Sequence, residues 1–64
     1  MSYCFDVMLN GRFVCTLRMP LTARNISGFI GEKPIVKESS TRAYVEKMRP
    51  SLRGKDYKVC PIYG

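Results

Sequence analysis

Two apolar-rich runs, residues 3–9 and 12–19, flank the dipeptide Asn10-Gly11. Aromatic and β-branched side chains suit a pleated surface, and Asn-Gly between two such runs is a strong hairpin signal. Two registers compete. A two-residue turn pairs Leu9 with Arg12 and Phe5 with Thr16, so Tyr3, Phe5 and Val7 share a face with Arg12, Val14, Thr16 and Arg18. That face is half basic. A three-residue loop, Leu9-Asn10-Gly11, with Gly11 left-handed as a bulge, sets Val7 against Phe13, Phe5 against Cys15 and Tyr3 against Leu17. Register follows the buried face, which favours the bulged loop. The outer face then carries Cys4, Asp6, Met8, Arg12, Val14, Thr16 and Arg18, and no disulfide joins Cys4 to Cys15 across the sheet.

Pro20 lacks an N–H and stops the second run. Thr22, with Leu21 before it and Ile26 after it, has the form of an N-cap with a hydrophobic staple. This predicts a short helix over residues 23–30, which Gly28 weakens by about 1 kcal/mol relative to Ala. Residues 31–38 read as a loop, with a brief strand at Ile35-Val36. From Ser39 or Ser40, either able to cap, Tyr44, Val45, Met48 and Leu52 recur at helical spacing, while Arg42, Glu46, Lys47, Arg49 and Arg53 face away. The main helix is expected at about 40–49. Pro50 ends it in a further short turn or kinks it, and Gly54 is a stop. Residues 57–63 alternate as a third strand, with Tyr57 and Val59 inward, Lys58 outward and Pro61 marking an edge. The pattern predicts one small α+β domain over residues 1–64: an N-terminal β-hairpin, one main helix on a three-stranded sheet, and a C-terminal strand.

A chain of 64 residues buries only about 60% of its unfolded surface, so a large enclosed cavity is not expected. No apolar run approaches the roughly 20 residues that span a bilayer. The opening residues lack a basic segment followed by an apolar one, so no signal peptide is expected, and the Asn25-Ile26-Ser27 sequon is taken as chance. Cys4, Cys15 and Cys60 are expected as reduced thiols of a cytoplasmic protein. Membranes and small-molecule substrates are not expected as partners.

Eleven Lys and Arg against five Asp and Glu give a formal charge of +6, which favours encounter with polyanions. There is no histidine, so the commonest general acid-base is missing, and no two carboxylates are spaced to flank a substrate. Three cysteines without histidine cannot complete a four-ligand zinc site. Gly28-Phe29-Ile30-Gly31 has the spacing of a backbone clamp but an apolar centre, and is read as a turn. Neither catalytic, metal nor cofactor residues are assigned. The expected function is non-enzymatic binding of nucleic-acid phosphates through Arg12, Arg18, Arg42, Lys47, Arg49, Arg53, Lys55 and Lys58. The alternative is a protein-interaction module or small homodimer, using either an edge strand or the outer-face strip Cys4, Met8 and Val14. One continuous basic surface favours the first; a basic rim around that strip favours the second.

Overall fold

Asn10 and Gly11 both take positive φ, 54° and 76°, the requirement of a two-residue type I′ turn. In the computed structural model, which describes residues 2–62, this turn joins β1 (Ser2–Leu9) to β2 (Arg12–Pro20). Leu9 therefore pairs with Arg12, and Met8 with Phe13. The ladder then slips: Val7 pairs with Cys15, Phe5 with Leu17 and Tyr3 with Met19, leaving Val14 as the extra residue of a β-bulge.

Neither register expected from the sequence is the one adopted. The turn has two residues, and the bulge sits within β2 rather than at Gly11. The outcome for burial is mixed. Phe5, Val7, Cys15 and Met19 are buried and Tyr3, Leu9 and Leu17 pack against them, as an inward odd-numbered set requires. Phe13 lies on the other side of the slip and is 60% exposed, so its expected place in the core is wrong. Arg12, expected on the outer face, shares the face of Leu9 at the end of the sheet.

β5 (Tyr57–Pro61) adds antiparallel to the free side of β1, giving the order β2-β1-β5. Val59 pairs with Val7 and Tyr57 with Leu9, so both face the core as expected. Tyr63, the last residue of the expected strand, lies outside the described residues.

The helix expected over 23–30 is absent. Thr22 caps a turn instead: its Oγ1 accepts from the Arg24 N–H at 3.3 Å, and its carbonyl accepts from the Asn25 N–H at 2.9 Å. A second hairpin follows, β3 (Ile26–Ile30) and β4 (Lys33–Val36), which form a separate two-stranded sheet. Gly31 (φ 63°) occupies the first central position of its two-residue turn, where positive φ suits glycine. The expected strand at Ile35-Val36 is thus real but belongs to a longer β4. This hairpin carries exposed Phe29 and Ile30 near its tip, at 61% and 73% exposure.

The main helix, α1, runs over Glu38–Met48 and starts two residues before the expected point. Lys37 is the N-cap, and its side chain caps nothing. Ser40, expected to cap, donates its hydroxyl to the Arg24 carbonyl at 3.4 Å. Pro50 opens a 3-10 turn over Pro50–Leu52, a place where its missing N–H costs no hydrogen bond. Val45 and Leu52 reach the core. Met48, expected on the same stripe, is exposed. Thr41 takes an inward position, its hydroxyl satisfied by the Lys37 carbonyl at 3.2 Å.

Candidate nucleic-acid interface

Chain direction decides where the basic residues meet. α1 begins near Tyr3 and Val36, and β5 begins at Tyr57, beside Leu9. The connection over residues 49–56 must therefore arrive at the Asn10-Gly11 end of the sheet. Leu52 is buried and anchors this connection. Three backbone bonds tighten it: Leu52 N–H to the Arg49 carbonyl (3.0 Å), Arg53 N–H to the Pro50 carbonyl (3.2 Å) and Lys55 N–H to the Leu52 carbonyl (3.1 Å). Gly54, at φ 77°, turns the chain between Arg53 and Lys55.

Arg49, Arg53 and Lys55 are all exposed on this connection. Arg12 joins them at the same end. It lies on β2 opposite Leu9, and Tyr57 lies on the other side of Leu9, two strand spacings or about 10 Å across. Asp56 shares the pole with these four cations, and Glu46, three residues before Arg49 and bonded to the Tyr57 hydroxyl, borders it. The C-terminus of α1 adds roughly half a negative charge nearby, which leaves the pole positive. Among the described residues, none of the four has a carboxylate within 4.0 Å.

The other four expected contacts are scattered. Arg18 and Lys58 are exposed on the outer sheet face, opposite Cys4 and Met8 respectively. Four residues along and two strands across separate them by about 17 Å. Lys47 is on one flank of α1, beside Met19 and Tyr44. Arg42 is on the other flank, its guanidinium 5.0 Å from the centroid of the Tyr57 ring. The structure thus brings together half of the expected basic set.

Tyr57 organises the second flank. Its ring is buried under Arg42, and its hydroxyl donates to Glu46 Oε2 at 3.0 Å, with the Arg42 carbonyl at 3.3 Å as a second acceptor. Burial raises the phenol above its ordinary value of 10.0, and the Glu46 hydrogen bond and charge push the same way, while Arg42 opposes them. The group is a neutral donor at physiological pH. A half-open groove of about 480 Å³ lies beside it, between the start of α1 and β5.

The strip Cys4, Met8 and Val14 has changed character. Cys4 and Met8 are half-buried on the outer face, and Phe13 now stands opposite Met8. Thr16 donates to Asp6 Oδ1 at 2.6 Å on the same face, which ties down its one carboxylate. All three cysteines are free thiols. Among the described residues there is no cluster of three or more metal-ligating side chains, and no helix long and apolar enough to cross a membrane. No protein-family model, curated protein or solved structure matches the chain.

Proposed function

We propose that this is a non-enzymatic basic binding protein that contacts nucleic-acid phosphates through Arg12, Arg49, Arg53 and Lys55. The observation that carries this reading is the gathering of those four exposed cations at one end of the sheet, where they outnumber the Asp56 and Glu46 carboxylates among the described residues. Contacts from Lys and Arg side chains and the Ser51 hydroxyl to phosphate oxygens carry no sequence information, so the expected binding is independent of sequence. Arg42 and Lys58 extend the reach of the pole along β5; Arg18 and Lys47 contribute to long-range attraction only.

Four neutralised phosphates give a log-log salt slope of about −3.6 on duplex and −2.8 on single strands. Affinity for duplex then falls about 100-fold between 50 and 200 mM salt. Replacing Arg49, Arg53 and Lys55 together by Ala removes about three-quarters of the slope, while Arg18→Ala with Lys47→Ala leaves it nearly unchanged. Absence of binding at 20 mM salt, or an unaltered slope in the triple variant, refutes the reading.

A second reading has its own support. Met8, Phe13 and Cys4 form an apolar strip flanked by Arg18 and Lys58, the basic rim that favours a protein partner on the outer face. Phe13→Ser abolishes that interaction and leaves the salt slope intact.

A further inference from the structure

The three-stranded sheet has two edges, and they are treated differently. Cys4 accepts from the Ile62 N–H at 2.9 Å, so residues 58, 60 and 62 direct their backbone groups toward β1. By the same alternation, residues 15, 17 and 19 of β2 face β1 from the other side, and residues 16, 18 and 20 face outward.

The β2 edge is partly closed: two of its five outward groups are taken, while the Thr16 N–H and C=O and the Arg18 N–H have no hydrogen bond outside the sheet among the described residues. The outward carbonyl of Arg18 accepts from the Tyr44 hydroxyl at 2.9 Å. The outward carbonyl of Pro20 accepts from Asn25 Nδ2 at 2.8 Å, and Pro20 has no N–H to offer. The bulge at Val14 disrupts the remainder.

The β5 edge is open. Tyr57 and Val59 direct both N–H and C=O outward, and Pro61 directs its C=O there. Among the described residues, no hydrogen bond reaches any of these five groups. Beside this edge runs the groove of about 480 Å³, with Val36, Thr41 and Arg42 on one wall and Tyr57, Lys58 and Val59 on the other. An open strand edge next to a helix-walled groove is the geometry of β-strand addition.

We propose that β5 accepts an extended, acidic segment of a partner protein as a fourth strand, seated between β5 and α1. Two N–H groups and three carbonyls of β5 pair with its backbone. Pro61 ends the pairing because it has no donor. The acidic character follows from the chain's charge of +6 and from Arg42, which faces the groove over the Tyr57 ring. Glu38 and Asp56 also border the groove, so the carboxylate of the partner segment falls opposite Arg42 rather than at either acidic site. A second copy of this chain is disfavoured as the occupant: it brings +6 against +6, and pairing two β5 strands about Lys58 sets the two lysines directly opposite. The proposal does not depend on what the basic pole binds.

The test uses the full chain labelled with ¹⁵N and an acetylated hexapeptide alternating glutamate and valine. In the free protein, the Tyr57 and Val59 amides exchange with solvent faster than those of Lys58 and Cys60. On titration, the Tyr57 and Val59 amides shift and become protected. N-methylation of the peptide along its pairing edge weakens binding at least 10-fold, and Arg42→Ala weakens it at least 3-fold, while the Arg49, Arg53 and Lys55 triple Ala variant retains it within 2-fold. Equal binding of the N-methylated peptide overturns the proposal, as does failure of the hexapeptide to shift these amides at millimolar concentration. Protection of Tyr57 and Val59 in the free protein with a doubled mass in sedimentation also overturns it, in favour of a second copy.

Discussion

Tyr57→Phe removes one part-buried oxygen beside the flank of α1 and leaves the ring and its contact with Arg42 in place. The lost hydroxyl donates to Glu46 Oε2 at 3.0 Å. Hydrogen bonds to charged acceptors contribute about 1.5–3 kcal/mol. Glu46 is only half-buried, so water re-solvates its carboxylate in the variant and the cost stays near the lower figure, about 1.5 kcal/mol. For a domain of this size that lowers Tm by about 6–12 °C. The difference also depends on pH. Burial and the Glu46 partner raise the folded phenol above 10.0, the value at which the unfolded chain ionises. Below pH 10 both states keep the proton and the stabilisation is whole. Above pH 10 the unfolded chain releases it first, and the stabilisation is lost as pH rises through the folded value. Urea titrations of both proteins at pH 7 and pH 11 measure this, and lysine titration cancels in the difference between them. A gap below about 0.3 kcal/mol at pH 7, or one that stays constant to pH 11, refutes the role assigned to the hydroxyl.

Three further outcomes follow from the same geometry. Gly11→Ala costs about 1–2 kcal/mol in denaturant titration, because φ 76° strains an L side chain although nothing lies within 4 Å of the new methyl; Gly28→Ala is neutral or stabilising by up to about 1 kcal/mol, since its Cβ meets only Ile35 Cδ1 at 3.9 Å. Phe13→Ser changes stability by no more than about 0.5 kcal/mol, whereas Phe5→Ala costs about 3–5 kcal/mol, a large share of the total of about 3–10 kcal/mol for 64 residues; urea titration followed by circular dichroism finds the midpoint of the second variant far below that of the first. Phe29→Ser with Ile30→Ser leaves Tm within about 2 °C of the parent and lowers binding of an apolar reporter dye, because both side chains stand in solvent on the β3–β4 hairpin.

The first hairpin was legible in the place of its turn and, Phe13 apart, in its inward set, and illegible in its turn length and register. Asn10-Gly11 announces the turn, and Phe5, Val7, Cys15 and Leu17 face the core as their alternation implies. The slip at Val14 reconciles a two-residue turn with a buried odd-numbered face in β2. Its trace in the sequence is three consecutive apolar residues, Phe13-Val14-Cys15, where strict alternation allows two. The second hairpin was misread because Ile26 and Ile30 stand four apart, a spacing shared by a helix face and by one side of a strand. The competing signal was Gly31-Glu32 between Ile30 and Lys33, a Gly-X turn of the kind that closes two-residue hairpins. Helix start failed for a different reason. Ser39 and Ser40 are good caps in isolation, but the Lys37 N–H is held by the Asn25 carbonyl at 2.7 Å, and that long-range bond fixes where α1 begins.

For the surface, residue identity was readable and assembly was not. Arg12 is 37 residues before Arg49, and only the pairing of β5 with β1 places the connection over residues 49–56 beside the first turn. The edges follow the same logic. Pro20 and Pro61 end the two edge strands, and each falls on a residue whose N–H would point outward, where its absence breaks no ladder bond. The prolines alone make the edges look equivalent. The difference lies in Tyr44, 26 residues from Arg18, and Asn25, five residues from Pro20, whose side chains close two of the outward β2 carbonyls and have no counterpart along β5 among the described residues. A single substitution exposes this asymmetry: Tyr44→Phe uncovers the Arg18 carbonyl. If closure of β2 is what directs a partner strand to β5, that variant gains a second, weaker site for the alternating peptide, read as new shifts at Arg18 and Met19. If no such site appears, the bulge at Val14 and Pro20 suffice to block the edge, and Tyr44 serves only to dock α1.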